Sequence, residues 1–321
     1  MKNLQEIMYN DMQELDKVIR QDLNSDIYLI NQISEYIIAA GGKRIRPLLT
    51  ILCGRICGYS DGNTLYKMAA MIEYIHTATL LHDDVVDESG LRRGHKTANA
   101  VFGNAASVLV GDFIYTRAFQ MMLHADSLKL MQIMANCTNK VSEGEVLQLL
   151  NISRSDLTEK EYFAVIESKT AALFEAGARV AAIISDSSKD MEEAVANYAI
   201  NLGTAFQIVD DILDYVGDSN IMGKNIGDDL QEGKVTLPLL YLLEKANEND
   251  KIFLKNAIEN PDITNVSHVI NLVKNSNSLN YCREMAKHYV NIAISNLDIF
   301  PDSEYKNAMI ELVSTSLIRM E

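Results

Sequence analysis

Two clusters of aspartates carry the clearest chemical signal in this sequence. Both have the spacing Asp-Asp-x-x-Asp, and more than a hundred residues separate them. Residues four apart stand on one face of a helix, so the first and last acid of each cluster point the same way. Carboxylates held this close repel one another unless a cation lies between them. The clusters are Asp83-Asp84-Val85-Val86-Asp87 and Asp210-Asp211-Ile212-Leu213-Asp214.

These acids and the cations that follow them indicate a clamp for a metal-bound diphosphate. A few hard oxygen ligands without a dedicated cage suit Mg²⁺ that is shared with substrate phosphates. Each cluster lies near the C-terminal end of a predicted helix, where the helix dipole disfavours negative charge and a divalent cation would offset that cost. Solvated helix-end acids are the alternative, common for one cluster but not for two. The cations are Arg92 and Arg93 after the first cluster, and Lys224 and Lys234 after the second.

The elements that must position these residues are almost all helical, because nearly every segment has the helical period and alternating strand patterns are essentially absent. The apolar stripe of residues 27–40 ends at Gly41-Gly42, a helix stop, and Pro47 suits the first turn of the next helix. We expect an all-α bundle of ten or more helices with both aspartate clusters facing each other at one end. The predicted helices span residues 26–40, 48–58, 64–87, 105–125, 128–150, 159–184, 191–214, 236–246, 251–259, 278–299 and 302–320.

Composition limits the remaining possibilities. Apolar residues make up 48% of the 321 residues, and no Pro/Gly/Ser-rich linker divides them, so we predict a single domain over residues 1–321. The glycine-rich segment 217–234 is the main irregular stretch and a candidate lid. A net charge of −15 argues against a basic face for nucleic acid or anionic membrane.

The cysteines and the N-terminus indicate a cytoplasmic protein. Cys53 and Cys57 are four apart, which is compatible with half a metal site, but no second pair at ligand spacing accompanies them, so core thiols in a reducing compartment are the better interpretation. Residues 1–20 are acidic and amphipathic, unlike a signal peptide. No apolar run reaches the roughly 18 residues of a transmembrane segment.

The order of several motifs resembles that of the trans-prenyl diphosphate synthases over about residues 25–240. The stretch 80–122 is most similar to bacterial synthases that make octaprenyl diphosphate. The motifs are Gly41-Gly42-Lys43-Arg44-Ile45-Arg46-Pro47, the first aspartate cluster with Arg92-Arg93-Gly94, Ser168-Lys169-Thr170, the second aspartate cluster, Gly223-Lys224-Asn225-Ile226-Gly227-Asp228-Asp229-Leu230 and Glu232-Gly233-Lys234.

The resemblance implies the isoprenoid synthase fold, a large helical bundle around a deep central cavity, and two or three Mg²⁺ ions. It also implies the role of each site residue. Arg44, His82 and His95 are expected to be structural. The alternative for His76 is a core histidine, and the alternative for Lys169, Lys224 and Lys234 is that they are ordinary surface lysines. The implied ligands of Mg²⁺ are Asp83, Asp87 and Asp210, supported by Asp84, Asp211 and Asp214; the allylic diphosphate would contact Arg92, Lys169, Lys224 and Lys234; isopentenyl diphosphate would contact Gly42, Lys43, Arg46, His76 and Arg93; and Thr170 and Gln207 would line the reacting centre.

The reaction implied by the resemblance is condensation of isopentenyl diphosphate with an allylic diphosphate, expected to be farnesyl diphosphate, to a long all-trans product. Ala78 and Thr79 lie about 6–7.5 Å along the helix from Asp83, and their small size lets a product cavity continue. Phe119 and Met122 are candidates for its floor, with ordinary core packing as the alternative. An octaprenyl product is expected; geranylgeranyl, heptaprenyl and nonaprenyl products remain alternatives.

Two rival functions are weaker. A terpene cyclase usually carries a second metal motif with Asn, Ser or Thr and Glu, whereas this chain repeats Asp-Asp-x-x-Asp. A non-catalytic subunit of a heteromeric synthase would usually lack some of the six aspartates. The resemblance further implies a homodimer, with residues 105–150 as a possible interface, and a product used for the side chains of respiratory quinones.

Overall fold

The computed structural model describes residues 3–60, 62–92, 94–217 and 226–318. Helices dominate these ranges, as the sequence predicts, and the sheet found in them is one antiparallel hairpin of two-residue strands. None of the helices in the described ranges combines the length and the apolarity needed to cross a bilayer.

The chain divides into two compact units whose boundaries fall inside long helices. Unit one consists of the described parts of Met1–Cys137, Leu173–Ala199 and Asn296–Leu312, and unit two contains the rest. The expectation of a single domain stays a prediction.

Unit one is built around a long central helix. Helix α4 (Asn63–Val86) packs on α1 (Leu4–Asp22), α3 (Ile45–Ile56) and α6 (Asn104–Met122). The Tyr74 hydroxyl on α4 donates to the Ile19 carbonyl oxygen at 2.7 Å. Each fully buried large side chain contributes about 1.5–3 kcal/mol, so the buried side chains of α4 stabilise this unit. The elements are α1 (Leu4–Asp22), α2 (Tyr28–Ala39), α3 (Ile45–Ile56), α4 (Asn63–Val86), β1 (Leu91–Arg92), β2 (His95–Lys96), α5 (Ala98–Phe102), α6 (Asn104–Met122), a 3₁₀ turn (Leu123–Ala125) and the first part of α7 (Leu128–Leu150).

Unit two has its own apolar core, formed by the second half of a long helix and the shorter helices that follow. Ile208, Val209 and Ile212 belong to this core and are fully buried, which leaves the polar residues between them on a different face. The elements are the end of α7, α8 (Glu159–Ile166), a π turn (Glu167–Ala171), the start of α9 (Ala172–Ile184), the second half of α10 (Lys189–Val216), α11 (Asp228–Gln231), α12 (Leu237–Lys245), α13 (Glu248–Glu259), α14 (Ile263–Asn275), α15 (Ser278–Ser295) and the end of α16 (Glu304–Ile318).

The predicted helix ends agree with the structure to within a few residues. Gly41 has φ +71° and its N–H donates to the Ile38 carbonyl oxygen, which is the left-handed cap expected of a helix-stop glycine. The sequence analysis described residues 1–20 as amphipathic without predicting helix α1, and it missed α5, α11, α14 and the hairpin. It also predicted one uniform helix over residues 159–184, where the structure has a π turn between α8 and α9.

Candidate active site

Helix α4 ends directly after the first aspartate cluster in a tight left-handed cap. Glu88 has φ +52°, the Ser89 N–H donates to the Asp84 carbonyl oxygen at 3.0 Å, and the Glu88 N–H donates to the Val85 carbonyl oxygen at 3.4 Å. These two bonds form a Schellman motif, which satisfies carbonyl groups of the last helical turn. The chain therefore reverses immediately beyond the acids.

The hairpin after this cap returns a guanidinium to the middle acid of the cluster. In β1 the Arg92 side chain donates to Asp84 Oδ1 from Nε at 2.9 Å and from Nη2 at 2.7 Å. The Asp84 side chain is only 1% exposed, so this pair neutralises a buried carboxylate. Asp84 Oδ2 is also buried and has no hydrogen-bond partner among the described residues.

The outer acids of the first cluster are more accessible than the middle one. Asp83 and Asp87 are half-buried, whereas Asp84 is fully buried. The two predicted metal ligands of this cluster are thus the acids that solvent reaches, and Asp84, which is predicted to support them, is buried. All three remain predicted metal-site residues.

His82 fixes the end of α4 against α6, which fits its expected structural role. Its Nε2 lies 3.3 Å from the carboxylate of Asp112 and 3.3 Å from the Val108 carbonyl oxygen. A side chain at Gly111 would meet this ring at 2.4 Å, so the two helices can approach only because residue 111 is a glycine.

The Gly-Gly-Lys-Arg corner before α3 places Arg44 in the left-handed region, with φ 47°. Its guanidinium lies 3.4 Å from an Asp16 carboxylate oxygen on α1 and 3.8 Å from one of Glu73 on α4. These contacts tie the corner to two helices and agree with the expected structural role of Arg44. The neighbouring Gly42 and Lys43 are exposed, as a substrate-binding corner would require.

Two residues predicted to bind isopentenyl diphosphate come together between α3 and α4. Arg46 Nη1 lies 3.2 Å from His76 Nε2, and the Arg46 guanidinium stacks over the Phe174 ring at 4.6 Å from its centroid. Because arginine can only donate, His76 Nε2 accepts and is unprotonated in this contact. His76 is therefore oriented by Arg46, and its role in binding isopentenyl diphosphate stays a prediction.

A cavity in unit one lies beside these cations. It is partly open to solvent, and the room inside it is only about 30 Å³, close to that of one or two water molecules. Lys43 and Arg46 are not among the residues that line it. The polar lining residues include Tyr36, Arg44, His76, Asp84, Arg92 and Lys96.

In unit two the second aspartate cluster carries a continuous chain of hydrogen bonds. The Tyr162 hydroxyl donates to Asp211 Oδ2 at 2.6 Å, and Gln207 Nε2 donates to Asp211 Oδ1 at 2.9 Å. The Thr170 hydroxyl in turn donates to Gln207 Oε1 at 3.0 Å. The structure thus brings together Thr170 and Gln207, the two residues predicted to line the reacting centre, and joins them to the cluster through Asp211.

The second cluster lies in an acidic environment. Burial, the neighbouring Asp229 carboxylate and, to a smaller extent, Asp210 raise the pKa of Asp211 to about 8, against the hydrogen bonds from Tyr162 and Gln207. Burial also raises the pKa of Tyr162, and Asp211 raises it further, so the phenol stays protonated and donates. Asp210 is half-buried, while Asp211 and Asp214 are buried.

The π turn positions Lys169 and Thr170 on different sides of one helical segment. Its bond runs from the Ala172 N–H to the Glu167 carbonyl oxygen, one residue longer than an α-helical bond. A side chain at Gly144 on α7 would lie 2.8 Å from Ser168 Cβ and 2.9 Å from the Lys169 backbone nitrogen, so glycine is required for this approach. Lys169 Nζ donates to Glu145 Oε2 at 2.7 Å.

The remaining predicted cations divide into one described residue and two that are not. Lys234 follows α11; its Nζ donates to Glu232 Oε2 at 2.7 Å, and its backbone N–H donates to the Asp229 carbonyl oxygen. Arg93 and Lys224 lie outside the described residues, as do residues 218–225 of the candidate lid. The roles of all three cations stay predictions.

The residues predicted to control product length lie on α4 and α6, which pack extensively on each other. Ala78 is fully buried, and the Thr79 hydroxyl donates to the His76 carbonyl oxygen at 2.9 Å. Met122 is buried, but Phe119 is 39% exposed and packs on Tyr115. Of the two predicted floor residues, Met122 has the enclosed position that such a role requires.

The described part of the chain contains no ready-made cage for a metal ion. In residues 3–60, 62–92, 94–217 and 226–318, no three His, Cys, Asp or Glu side chains gather as a metal site. Mg²⁺ does not require such a cage, because it dehydrates reluctantly and is usually held by one or two carboxylates plus substrate phosphates. The half-buried outer acids and the raised pKa of Asp211 are the features that favour a cation here.

Three residues of this site were missed by sequence reasoning. Tyr162 and Glu145 sit on amphipathic helices, where a tyrosine resembles ordinary core and a glutamate resembles ordinary surface. Asp229 was noticed only within a longer motif, although its neighbour Asp228 and the glycine before them mark a helix start that concentrates negative charge. No local pattern distinguishes the first two.

A mainly helical fold with two such acid clusters, the first paired with an arginine, is typical of a class of enzymes that act on diphosphates. Comparison with known proteins specifies the class. The family model for polyprenyl synthetase matches residues 27–275. The chain is 47% identical to the octaprenyl diphosphate synthase of Escherichia coli (strain K12) over 99% of both chains, and 40% identical to the geranyl-diphosphate-specific all-trans-nonaprenyl-diphosphate synthase of Rhodobacter capsulatus over 97% and 95%.

A solved structure gives the same result for the fold. The polyprenyl synthase of Caulobacter crescentus, crystallised with calcium and isoprenyl diphosphate, superimposes with a TM-score of 0.94 at 39% identity, over 98% of this chain and 96% of that one. The chain belongs to the polyprenyl synthetase family. Its members condense isopentenyl diphosphate with allylic diphosphates to trans-prenyl products and depend in general on magnesium, so the predicted isoprenoid synthase fold and prenyltransferase activity are confirmed.

Proposed function

We propose that this protein is a long-chain trans-polyprenyl diphosphate synthase that extends farnesyl diphosphate with isopentenyl diphosphate to octaprenyl diphosphate. The observation that carries the proposal is the pair of Asp-Asp-x-x-Asp clusters, in which Asp83, Asp87 and Asp210 are half-buried and Arg92 is paired with the first cluster. The relatives that make octaprenyl and nonaprenyl products support a long chain.

The metal site is assigned to Asp83, Asp87 and Asp210, with the buried acids of both clusters in support. When bound, two or three Mg²⁺ ions would neutralise charge that develops on the leaving diphosphate. The donor set fits this role because it consists of carboxylate oxygens that solvent reaches.

The cations hold the two diphosphates. Arg92, Lys169 and Lys234, with Lys224, bind the allylic diphosphate; Arg92 uses Nε and Nη2 for Asp84, so donors of Nη1 remain for a phosphate. Arg46 and His76, with Gly42, Lys43 and Arg93, bind isopentenyl diphosphate. Arginine suits this second pocket because its planar guanidinium forms two-point hydrogen bonds to phosphate oxygens.

The reaction begins when the allylic C–O bond breaks and the electron pair leaves with diphosphate. The double bond of isopentenyl diphosphate attacks the allylic cation, and a proton is then lost to the departed diphosphate, which is anionic and close. Thr170 Oγ and Gln207 stabilise the cation by their oxygen dipoles without trapping it. Water must be excluded because it would quench the cation to an alcohol.

Product length depends on the packing of α4 on α6. Ala78 and Thr79 leave room beyond the acids, and Met122 provides the floor. An isoprene unit extends about 5 Å, so eight units need about 40 Å, close to the length of a 25-residue helix.

The reaction takes place in the cytoplasm, the protein is a homodimer, and the product becomes the side chain of a quinone. Large apolar side chains exposed on α6 and α7 support the homodimer, because such residues usually mark an interface when they cluster. They are Leu109, Phe119, Leu128, Met131, Val146, Leu149 and Leu150.

Incubation of the purified protein with Mg²⁺, farnesyl diphosphate and isopentenyl diphosphate, followed by sizing of the dephosphorylated products, tests the function directly. We expect an eight-unit chain. No condensation at all would exclude catalysis by this chain alone, and a cyclic hydrocarbon would identify a cyclase.

Ala78→Tyr tests the product cavity in the same assay. The ring should block the space beside Met122 and shorten the product to about 15–20 carbons. Ala78→Ser keeps the volume small and should leave the product unchanged. If Ala78→Tyr folds and still makes the long product, the chain grows elsewhere.

A further inference from the structure

We propose that Tyr162 is a positioning residue, which acts through Asp211 and Gln207 to direct the Thr170 hydroxyl so that only oxygen lone pairs face the reacting centre. The proposal deepens the proposed function, because it assigns a direction to the hydrogen bonds of the site that stabilises the allylic cation. It also gives Asp211 a role other than metal ligation.

The direction of the chain follows from the donors and acceptors at its buried end. Asp211 is 2% exposed, and each carboxylate oxygen already receives one bond, Oδ2 from the Tyr162 hydroxyl and Oδ1 from Gln207 Nε2. A carboxylate accepts only, so the amide group of Gln207 must turn its nitrogen towards Asp211. Its oxygen is then directed to Thr170.

Thr170 is the residue through which the direction of these hydrogen bonds affects the reacting centre. A hydroxyl has one proton, and that of Thr170 is committed to Gln207 Oε1 at 3.0 Å. The remaining surface of Oγ carries lone pairs, which stabilise a carbocation, whereas an O–H dipole turned the other way would repel it. Thr170 is 7% exposed, so water does not compete for this bond.

Tyr162 keeps the buried end of the chain in place because its phenol is enclosed and protonated. The residue is 4% exposed, packs on Phe163 with ring centroids 5.2 Å apart, and has a raised pKa caused mainly by burial. Its hydroxyl therefore donates to Asp211 Oδ2, which leaves Oδ1 to accept from Gln207.

The first experiment compares Tyr162→Phe with a matched control. Tyr198 in unit one is also fully buried, and its hydroxyl donates to the Met309 carbonyl oxygen at 2.6 Å, so Tyr198→Phe removes an equivalent bond elsewhere. We expect Tyr162→Phe to lower kcat about 10-fold with both KM values unchanged, and Tyr198→Phe to leave kcat unchanged. Equal kcat values for the two variants would overturn the proposal.

The second experiment exchanges donor and acceptor within the chain. Asp211→Asn allows the Gln207 amide to turn over, and we expect it to lower kcat at least as much as Tyr162→Phe. Adding Gln207→Glu restores an acceptor that receives both the amide N–H introduced at position 211 and the Thr170 hydroxyl, and should recover part of the loss. A double variant no better than Asp211→Asn contradicts the proposed order.

Two measurements without turnover separate this proposal from the proposed function. Calorimetry measures the binding of Mg²⁺ together with inorganic pyrophosphate. The affinity should be unchanged in Tyr162→Phe and weakened in Asp210→Ala. If Asp211→Asn weakens binding as much as Asp210→Ala, Asp211 is a metal ligand and the proposal is overturned. The Gln207 side-chain amide protons should exchange slowly in the unaltered protein and rapidly in Tyr162→Phe. A protein with slow exchange but no prenyl product would refute the function alone, and rapid exchange in the unaltered protein would refute the hydrogen-bond chain alone.

Discussion

Asp84 and Asp211 occupy the same place in two identical motifs, yet the protein satisfies them by different means. Asp84 faces a guanidinium that donates two bonds to one oxygen, whereas Asp211 receives one bond on each oxygen from the neutral groups of Tyr162 and Gln207. The guanidinium neutralises the buried charge of Asp84, whereas the dipoles of two neutral groups solvate the carboxyl group of Asp211.

The electrostatic consequence is visible in the second cluster. Without a cationic partner in its hydrogen bonds, and with Asp229 nearby, Asp211 has a pKa of about 8. The comparison shows that a shared sequence motif does not imply a shared electrostatic design. Arg92 already neutralises one carboxylate of the first cluster. A divalent cation would therefore stabilise the carboxylates of the second cluster more than those of the first.

The largest expected effect tests the feature that both clusters share. Asp83→Ala and Asp210→Ala should each reduce turnover by orders of magnitude while helix content stays the same, because both acids are half-buried predicted ligands of the metal. Circular dichroism and steady-state rates provide the measurement. Asp302→Ala is a suitable control, since the Asp302 side chain is fully exposed and contacts only Lys306 among the ion pairs described for it. Near-normal turnover in Asp83→Ala or in Asp210→Ala would reject the metal assignment.

A smaller effect tests the charge balance of the first cluster. Arg92→Met leaves Asp84 buried without its cation and should lower the free energy of unfolding by about 2–3 kcal/mol, less than for a fully buried pair because Arg92 is a quarter exposed. Urea denaturation of the substrate-free protein measures it. The double variant Asp84→Asn/Arg92→Met should recover part of the loss. Additive losses would show that the two side chains are not coupled.

The smallest effect tests the uncompensated charge of the second cluster. The folded-state pKa of Asp211, about 8, lies above the usual value near 4, so the folded protein binds more protons between these pH values and its stability falls as pH rises from about 4 to 8. In metal-free buffer the unaltered protein should lose at least about 1 kcal/mol more than Asp211→Asn between pH 5 and pH 8. Parallel stability curves would show that Asp211 is ionised in the folded protein at pH 5 already.

Sequence periodicity was sufficient to predict the helices that carry the clusters, since apolar stripes and the Gly41 stop are local signals. The same geometry separates the roles of the acids, because a middle aspartate stands about 100° from the face shared by the outer two. Helix α14 had a signal too, in Asp262 as its cap and Val266, Val269 and Val273 as its buried stripe.

The remaining features depend on tertiary contacts. The π turn forms where Gly144 of α7 permits close approach, and two-residue strands are too short to show an alternating pattern. The partners of Asp211 lie 49 and 4 residues away in sequence, and only packing identifies Tyr162 among them.

The additional residue in the π turn restricts how this segment can be altered. If one residue were deleted from 167–171, the remaining four would close into ordinary α-helix, and the side chains of the turn would change direction. Lys169 and Thr170 would then lose Glu145 and Gln207 as neighbours. A variant with a regular helix here would therefore no longer present the ammonium and hydroxyl groups in the directions that their predicted roles require.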